Sequence, residues 1–312
     1  MRGTTNQNRS YTASSFILEL DGSHIAGFFR SVEGGGVKAD VMTHQMGDNS
    51  ALYRQLGKQK YEDLKIQVGM SMSQEFYGWI SQFFSGTIER RNGAIISGDF
   101  HYKERARRVM KNMLISEVQI PKFDAGDKAP CYMTVGLVPE TVEFERGNPN
   151  VDLSPTVATR QKLWTPNRFE FTINTFEQCL ARTTKIESFT IKQQILEYRS
   201  GNLRDPWRVP GRIEFPNLTF YLPEADAGPL IDHFGKRVLR GQPPPHTRLT
   251  GGITALDADL QPLCTISLAG IDISSIGPDK SDSTSQDIKQ VKVDITVEKM
   301  AFAYAQGMAD LG

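Results

Sequence analysis

The sequence predicts a mainly β protein of 312 residues that contains one antiparallel module twice. The first observation is an internal repeat: residues 57–68 (GKQKYEDLKIQV) return as residues 211–222 (GRIEFPNLTFYL), with a glycine, a cation, an aromatic residue and a leucine at the same spacing. The second observation is that flanking segments repeat in the same order, 16–20 as 169–173 and 93–99 as 251–257. Several elements that recur in one order indicate a tandem duplication.

The first module is predicted to open with a strand and a long hairpin. Residues 16–20 alternate apolar and polar side chains, and Asp21-Gly22 is a turn signal, so residues 28–32 are expected to pair back on this strand. The triple glycine at 34–36 predicts a bend where two backbones approach closely. A further strand begins at Val37, and the repeated segment from Gly57 to about Met70 is its expected hairpin partner.

Each module is also predicted to contain one helix. In the first module Ser73 is a plausible N-cap, and the apolar residues that follow it fall on one helical face: Phe76, Trp79, Ile80, Phe83 and Phe84. We expect this face to pack against the sheets. In the second module Pro229 marks a helix start, and the predicted apolar stripe consists of Leu230, Ile231, Phe234 and Val238.

The remaining segments predict further strands. Residues 103–115 alone could be a basic helix, but their counterpart 260–273 alternates and carries a proline, so we predict strands at both places. The closing strands are predicted at 133–138, continuing near Val142, and at 291–302. Each module then has about seven short strands, a count typical of a two-sheet antiparallel fold. The predicted boundaries are an arm at 1–14, modules at 15–146 and 168–306 with a linker at 147–167, and a tail at 307–312.

Composition argues against several classes of function. Lys plus Arg and Asp plus Glu each number 36, so no net field attracts nucleic acid or an anionic membrane. No apolar run approaches the length of a membrane span, and the first residues do not resemble a signal peptide. The three cysteines, Cys131, Cys179 and Cys264, are few and far apart, which is typical of a chain that folds in a reducing cytoplasm.

No pattern in the sequence predicts catalysis. The five histidines include no pair with zinc-hydrolase spacing, and the triple glycine is not followed by the residues of a phosphate-binding loop. Asp257 and Asp259 could form a carboxylate pair, but Asp257 repeats Asp99 as a turn residue, so we favour a structural role. We therefore predict no enzyme, no catalytic or metal site and no cofactor.

With the elements in this order, the first module resembles the tail tube proteins of contractile phages and of phage-derived contractile injection systems. The resemblance covers roughly residues 15–146 and rests on the order of short motifs at 16–22, 26–28, 32–34, 57–58, 61–64 and 75–80. The second module looks like a diverged copy, with Asn174-Thr175 in place of Asp21-Gly22 and without the triple glycine.

The resemblance implies a β-sandwich or partly open barrel with one packed helix and a long β-hairpin. Six such domains would join edge to edge into a ring, their hairpins would line a channel, and rings would stack inside a sheath. Here the implied hairpin strands are 37–45 with 58–70 and 189–198 with 213–222. The side chains assigned to assembly on these hairpins are Val37, Ala39, Val41, Lys58, Lys60, Glu62, Lys65, Gln67, Arg212, Glu214, Thr219 and Tyr221.

Open strand edges give an independent reason for assembly, because unpaired backbone groups accept another strand and a closed ring removes the edges. Three chains could close a pseudo-sixfold ring, or six chains could do so with the second module outside. The expected partners are the chain itself, sheath, baseplate or hub proteins, and cargo or DNA in the channel, with no membrane. The expected location is the bacterial cytoplasm during assembly and a phage tail or phage-like particle afterwards. The alternatives are a tube-end hub, initiator or cap, or a soluble two-domain β-sandwich binding module.

One strand is unusually basic, and its role stays open at this point. The cations are Lys103, Arg105, Arg107, Arg108 and Lys111, and on a strand Arg105 and Arg107 share a face. An interface with an acidic neighbour, binding of nucleic acid or cargo, and a plain solvated face are all compatible with this pattern.

Overall fold

The computed structural model describes residues 15–22, 24–45, 52–151, 153, 164–201, 205–243, 248–279 and 288–305. The protein is mainly β, as predicted. The predicted arm at 1–14, the tail at 307–312 and residues 152 and 154–163 of the predicted linker lie outside the described residues.

The first half of the chain contains a closed barrel. Its elements are β1 (Ser15–Leu20), β2 (His24–Gly34), β3 (Val37–Gln45), β4 (Leu52–Tyr61), β5 (Leu64–Met72), α1 (Gln74–Ser85), β6 (Arg91–Gly98), β7 (Glu104–Ile120), β8 (Phe123–Asp124), β9 (Met133–Val138) and β10 (Thr141–Arg146). Strands β1, β2, β5, β9, β7 and β6 pair in that order, and β6 pairs back with β1. The strand β7 is long enough to pair with β6 and β10 along its first part and with β9 along its second.

The second half has the same order of strand pairings. Its elements are β11 (Phe169–Ile173), α2 (Glu177–Leu180), β12 (Lys185–Ile186), β13 (Phe189–Tyr198), β14 (Trp207–Glu214), β15 (Leu218–Pro223), a 3₁₀ turn (Glu224–Asp226), α3 (Gly228–Phe234), a π-helical turn (Gly235–Leu239), β16 (Leu249–Leu256), β17 (Pro262–Pro278), β18 (Gln290–Thr296) and β19 (Lys299–Tyr304). The long strand β17 pairs with β16, β18 and β19 as β7 pairs with β6, β9 and β10. This half does not close, because β12 pairs with β8 of the first half instead of continuing to β11.

Local geometry repeats together with topology. After β6, the Asp99 carboxylate accepts the backbone N–H groups of His101 and Lys103, both at 2.9 Å. After β16, the Asp257 carboxylate accepts those of Asp259 and Gln261, both at 2.8 Å. Tyr102 and Leu260 take the same left-handed conformation, with φ of 55° and 60°. The repeated aspartate therefore closes the same tight turn in each half, as its repetition in the sequence suggested.

The helix α1 begins where the sequence predicts. The Ser73 hydroxyl accepts the Phe76 amide at 3.3 Å, and all five residues of the predicted face are buried. Much of that face packs on the second half, since Phe84 lies 5.6 Å from Phe302 between ring centroids and Ser81 donates to the Phe302 carbonyl at 2.9 Å. One hydrophobic core therefore spans both halves.

The apolar stripe predicted for the second helix is buried only in part. Leu230 is fully buried, but Ile231 is 46% exposed and Val238 is 54% exposed. The α-helical segment ends at Phe234, and the wider π turn that follows carries Val238 off the buried stripe.

The prediction of one strand from Lys58 to Met70 is wrong, because the chain divides there into β4 and β5. The cause is the glycine bend: Gly34 and Gly35 have φ of 81° and 70°, and the Gly35 amide donates to the Asp63 carbonyl at 3.2 Å. The hairpin of β3 and β4 thereby leaves the barrel as a separate two-stranded sheet. The predicted strand 291–302 likewise divides into β18 and β19.

The described parts of the predicted linker pack on the barrel. Leu153 is buried against Ile17, Ala94 and Ile96, and the Trp164 side chain is 3% exposed. Among the described residues, no helix is long and apolar enough to span a membrane.

Candidate assembly interface

Two hairpins of identical register stand out from the sheets. We call β3 with β4 the first hairpin and β13 with β14 the second. Lys38 pairs with Lys60 as Lys192 pairs with Glu214, and each hairpin shifts register at the next step, between Ala39 and Val41 and between Gln193 and Ile195. The two hairpins therefore correspond residue by residue, with a bulge at the same place.

The repeated glycine of the sequence sits in that bulge. A Cβ atom on Gly57 would lie 3.3 Å from the Asp40 carbonyl oxygen, and one on Gly211 would lie 3.2 Å from the Gln194 carbonyl oxygen. Asp40 and Gln194 occupy corresponding positions in the two registers. The glycine is thus explained by the close approach of two backbones at a bulge.

Both hairpins expose apolar side chains. In the second hairpin, directly paired residues place four of them on one face: Leu196, Tyr198, Trp207 and Val209, which are 41–57% exposed. The first hairpin exposes Val41, Met42, Leu52, Tyr53 and Leu56. Clustered apolar side chains at the surface mark sites of association.

The second hairpin is docked on the first half of the chain. Residues 189–192 of β13 pair with residues 117–120 of β7, and Ile191 opposite Val118 is fully buried. Farther along the hairpin, the Arg208 backbone N–H donates to Glu140 Oε1 at 3.2 Å, and its carbonyl accepts from Arg90 Nη2 at 2.5 Å.

The two hairpins also contact each other. Asp205 Oδ1 accepts from Gln59 Nε2 at 2.6 Å and from the Tyr61 hydroxyl at 3.1 Å. The Arg208 guanidinium donates to the Tyr61 carbonyl at 3.4 Å and pairs with Glu197 at 3.0 Å. The intrachain contact therefore places the second hairpin beside the first.

The structure distributes the predicted assembly residues between hairpins and barrel. Val37, Ala39, Val41, Lys58 and Lys60 are exposed on the first hairpin, and Arg212 and Glu214 are exposed on the second. Glu62 lies at the base of the first hairpin, where the Lys38 ammonium lowers the pKa of its carboxyl group.

Four residues predicted on the hairpins lie elsewhere. Lys65 and Gln67 are on β5 in the barrel wall, where Lys65 pairs with Glu117 at 2.6 Å and that contact raises the lysine pKa. Thr219 and Tyr221 are on β15, and Thr219 donates to Asp294 Oδ1 at 2.6 Å. Their placement was wrong because the end of the projecting strand could not be located from alternation alone.

The basic strand of the sequence is β7. Its cationic part runs between β6 and β10, so it is interior to the sheet. Arg105 pairs with Asp99 at 2.7 Å, Arg107 with Glu19 and Glu104 at 2.9 Å, and Lys111 with Glu143 at 2.7 Å. Arg108 donates to the Gly34 carbonyl at 3.0 Å, and burial lowers the pKa of its guanidinium group. Lys103 is half-buried, and its backbone N–H donates a hydrogen bond to the Asp99 carboxylate. Most of this positive charge is compensated within the chain, and a role of β7 in an interface stays a prediction.

Sequence reasoning missed the docking pair Arg90–Glu140, whose side chains approach within 3.6 Å. A signal was present, because Arg90 stands three residues before Gly93 and Arg248 stands three before Gly251. The second half also contains the equivalent ion pair, Arg248 Nη1 to Glu298 Oε1 at 3.2 Å. Extending the repeat alignment beyond the strands would have found both pairs.

The described residues hold no group of three His, Cys, Asp or Glu side chains able to bind a metal ion. Burial raises the pKa of the Cys131 and Cys264 thiols to about 12, so neither is a nucleophile at neutral pH.

The fold and the hairpins define a mainly β protein with a closed barrel, a helix packed on it and a projecting hairpin that occurs twice. Residues 12–143 match the family model of the T4-like virus tail tube protein gp19, so this part of the chain is similar to that family. The comparison with curated proteins gave no match.

Three solved structures are similar at 16% sequence identity. A chain of the sheath-tube complex of the extracellular contractile injection system PVC has a TM-score of 0.40 and covers 47% of this chain and 99% of its own. A chain of the anti-feeding prophage tube-terminating cap has a TM-score of 0.42, with 50% and 100% covered. A chain of the anti-feeding prophage baseplate has a TM-score of 0.33, with 45% and 94% covered.

Proposed function

We propose that the protein is a structural ring component of the inner tube of a contractile tail or injection system. Each chain supplies two tube modules, 15–146 and 168–306, three chains close a pseudo-sixfold ring around a channel, and the ring stacks with others. The supporting observation is that the two halves share one set of strand pairings and that the second hairpin is already docked beside the first.

The docking favours three chains over six. In a six-chain ring with the second module outside, the second hairpin would have no reason to lie beside the first. Here Asp205 of the second hairpin bonds Gln59 and Tyr61 of the first. One chain therefore already contains a neighbouring pair of modules, and three repeats of that relation give six modules.

The position along the tail and the partners follow from this proposal. A ring that alternates two unlike modules has threefold symmetry, which suits a tube end, so a hub, initiator or cap of the same machine is the second candidate. The tube above or below, sheath and baseplate proteins would be its neighbours, with cargo or DNA in the channel. Assembly would take place in the bacterial cytoplasm before incorporation into the particle.

Negative-stain microscopy and light scattering of the purified full chain test the proposal. We expect rings with a central hole and a mass three times that of the chain. A six-chain mass would support the outer-module arrangement instead. Discrete monomers at high protein concentration would support a soluble two-domain binding module and contradict ring formation.

A further inference from the structure

The second half carries an unfilled copy of the site that the second hairpin occupies on the first half. On the first half that site consists of the edge of β7 at residues 117–120 and the docking pair Arg90–Glu140. The equivalent edge in the second half is the end of β17, because both long strands shift register at the same step, between Ile115 and Glu117 and between Ile273 and Ser275.

That edge of β17 is open. Residues 272–278 pair with β18 on one side, and among the described strands none pairs on the other. Ser275 corresponds to Glu117 and Ile276 to Val118, but Val118 is fully buried whereas Ser275 is exposed and Ile276 is only half-buried. The corresponding ion pair, Arg248–Glu298, is also open to solvent, with 48% and 60% of the two side chains exposed.

The first hairpin carries an unused copy of the strand that fills such a site. By register, Val37 and Lys38 correspond to Ile191 and Lys192, the residues that lie on β7. In the described chain β3 pairs with β4 alone, and Val37 is 40% exposed. Arg54 corresponds to Arg208, since Thr43 pairs with Arg54 as Glu197 pairs with Arg208.

We propose that the first hairpin of a second copy of this chain docks on β17 and on Arg248–Glu298, as the second hairpin docks on β7 and on Arg90–Glu140. This interface rests on the ring function proposed above and specifies its register. In this register, Val37 of the neighbour lies opposite Ile276, and Lys38 of the neighbour lies opposite Ser275. The backbone N–H of the neighbour's Arg54 donates to Glu298, and its carbonyl accepts from Arg248, as the Arg208 backbone does with Glu140 and Arg90.

The surrounding residues fit this occupant. In the intrachain contact, Gln59 and Tyr61 bond the carboxylate of Asp205. At the corresponding positions the second hairpin has Ile213 and Phe215, which line a groove of about 350 Å³ together with Glu298. Strand β4 of the first hairpin begins with Leu52, which is 58% exposed and lies one position after the place that corresponds to Asp205. A polar contact within the chain is thus replaced by an apolar one between chains.

The contact is head to tail, because the filling strand and the open edge lie on different halves. Repetition of such a contact gives a closed ring when the rotation closes. Docking removes the free edges of β3 and β17 together, which removes two templates for uncontrolled strand addition.

Paired cysteines test the register. Residues directly opposite in an antiparallel pair have Cα atoms about 4.5–5.5 Å apart, within the range of about 4.4–6.8 Å that a disulfide spans. We expect the variant Lys38→Cys with Ser275→Cys to oxidise into a closed covalent ring. A mixture of the two single variants should give covalent dimers only. Lys38→Cys with Ser267→Cys is the matched control, since Ser267 lies on β17 between β16 and β19 and should not cross-link.

A third cysteine pair separates failure of the register from failure of the ring. Lys192→Cys with Glu117→Cys should close within one chain. If rings are seen and this pair closes, but Lys38→Cys with Ser275→Cys does not, the proposed register is wrong and the ring function stands. If the unmodified chain forms no rings, both are wrong.

A charge variant tests the second contact. Glu298→Ala removes the acceptor for the Arg54 backbone and should raise the concentration for half-maximal ring formation about tenfold, as expected for the loss of one charge-assisted hydrogen bond. Glu224→Ala, which removes a similarly exposed ion pair with Lys289, is the control and should leave assembly unchanged. Equal assembly of both variants would contradict the Glu298 contact.

Discussion

At the scale of single residues, the most consequential charge of β7 is Arg107. Glu104 is a buried carboxylate, 2% exposed, and Arg107 holds it with Nε at 2.9 Å and Nη2 at 3.3 Å. The same guanidinium donates to Glu19, and these carboxylates raise the pKa of Arg107. Arg107 therefore neutralises charge inside the fold.

We expect Arg107→Leu to lower the free energy of unfolding by about 3 kcal/mol, because it leaves a buried charge without a partner. Glu104→Gln in the same chain should restore part of the loss. Lys111→Leu is the matched control on the same strand, and since its pair with Glu143 is half exposed and screened by solvent it should cost much less. Urea unfolding measures all three, and equal losses for Arg107 and Lys111 would contradict this account.

Asp99 gives a prediction about pH. The Lys103 amide, followed by Arg105 and the His101 amide, lowers the pKa of its carboxyl group below the usual value. A lowered pKa in the folded state means that the stabilisation is complete above the unfolded value of about 3.9 and is lost as pH falls through the folded value. Asp99→Asn should therefore be less stable than the parent at pH 7, and the two should converge below about pH 4.

Thermal unfolding across pH measures this convergence. Asp257→Asn is the control, because it alters the equivalent turn without the Arg105 ion pair and should have the smaller effect at pH 7. A constant difference between Asp99→Asn and the parent over the whole pH range would show that the carboxylate charge is not responsible.

At the scale of elements, the glycine bend sets the direction of the first hairpin. Gly34 has φ of 81°, and a Cβ there would collide with the Asp63 carbonyl oxygen, which belongs to the backbone and cannot move aside. Gly36 has ordinary φ, and its Cβ would meet only the flexible Glu62 carboxylate.

We expect Gly34→Ala to lower the free energy of unfolding by at least about 1–2 kcal/mol and to reduce ring formation, because the left-handed conformation alone costs that much. Gly36→Ala should leave both nearly unchanged. Denaturation and microscopy of the two variants test the bend. Normal rings from Gly34→Ala would mean that the hairpin direction does not depend on it.

The elements that the sequence predicted correctly carry local signals. Two examples are the helix α1, which follows from Ser73 and the apolar spacing after it, and the turn between β1 and β2, which follows from Asp21-Gly22. Each signal lies within a few residues of the element that it predicts. What the sequence could not locate depends on distant pairing. The break between β4 and β5 is caused by glycines about thirty residues upstream, and the interior position of β7 follows only when β10 is placed beside it. The hairpin register was visible only through the repeated Gly57 and Gly211, and the docking pair Arg90–Glu140 could be found only by extending the repeat alignment to Arg248 and Glu298.

At the scale of the whole molecule, the second hairpin has two faces with different tasks. The Arg208 side chain is nearly buried against the first half, whereas Tyr198 and Trp207 on the opposite face are each 57% exposed. The first hairpin places Met42 and Tyr53 at positions that correspond to Leu196 and Trp207. The free face is therefore apolar on the second hairpin, whereas on the first hairpin it combines Met42 and Tyr53 with the polar His44 and Gln55. Ring closure as proposed uses the strand edges and the Arg208 face of the second hairpin and leaves this face free.

We expect the double variant Tyr198→Ser with Trp207→Ser to leave the fold and the assembled ring intact but to prevent one assembled ring from stacking on the next. The reason is that the exposed aromatic side chains of Tyr198 and Trp207 supply apolar contact area between the layers. Microscopy would then show single rings where the parent forms stacks, with an unchanged ring mass by light scattering. Leu260→Ser is the control, since Leu260 is 65% exposed in a turn away from the hairpins and its loss should not affect stacking. If the double variant lost rings and stacks together, the free face would belong to ring closure and the division of tasks between the two hairpin faces would be wrong.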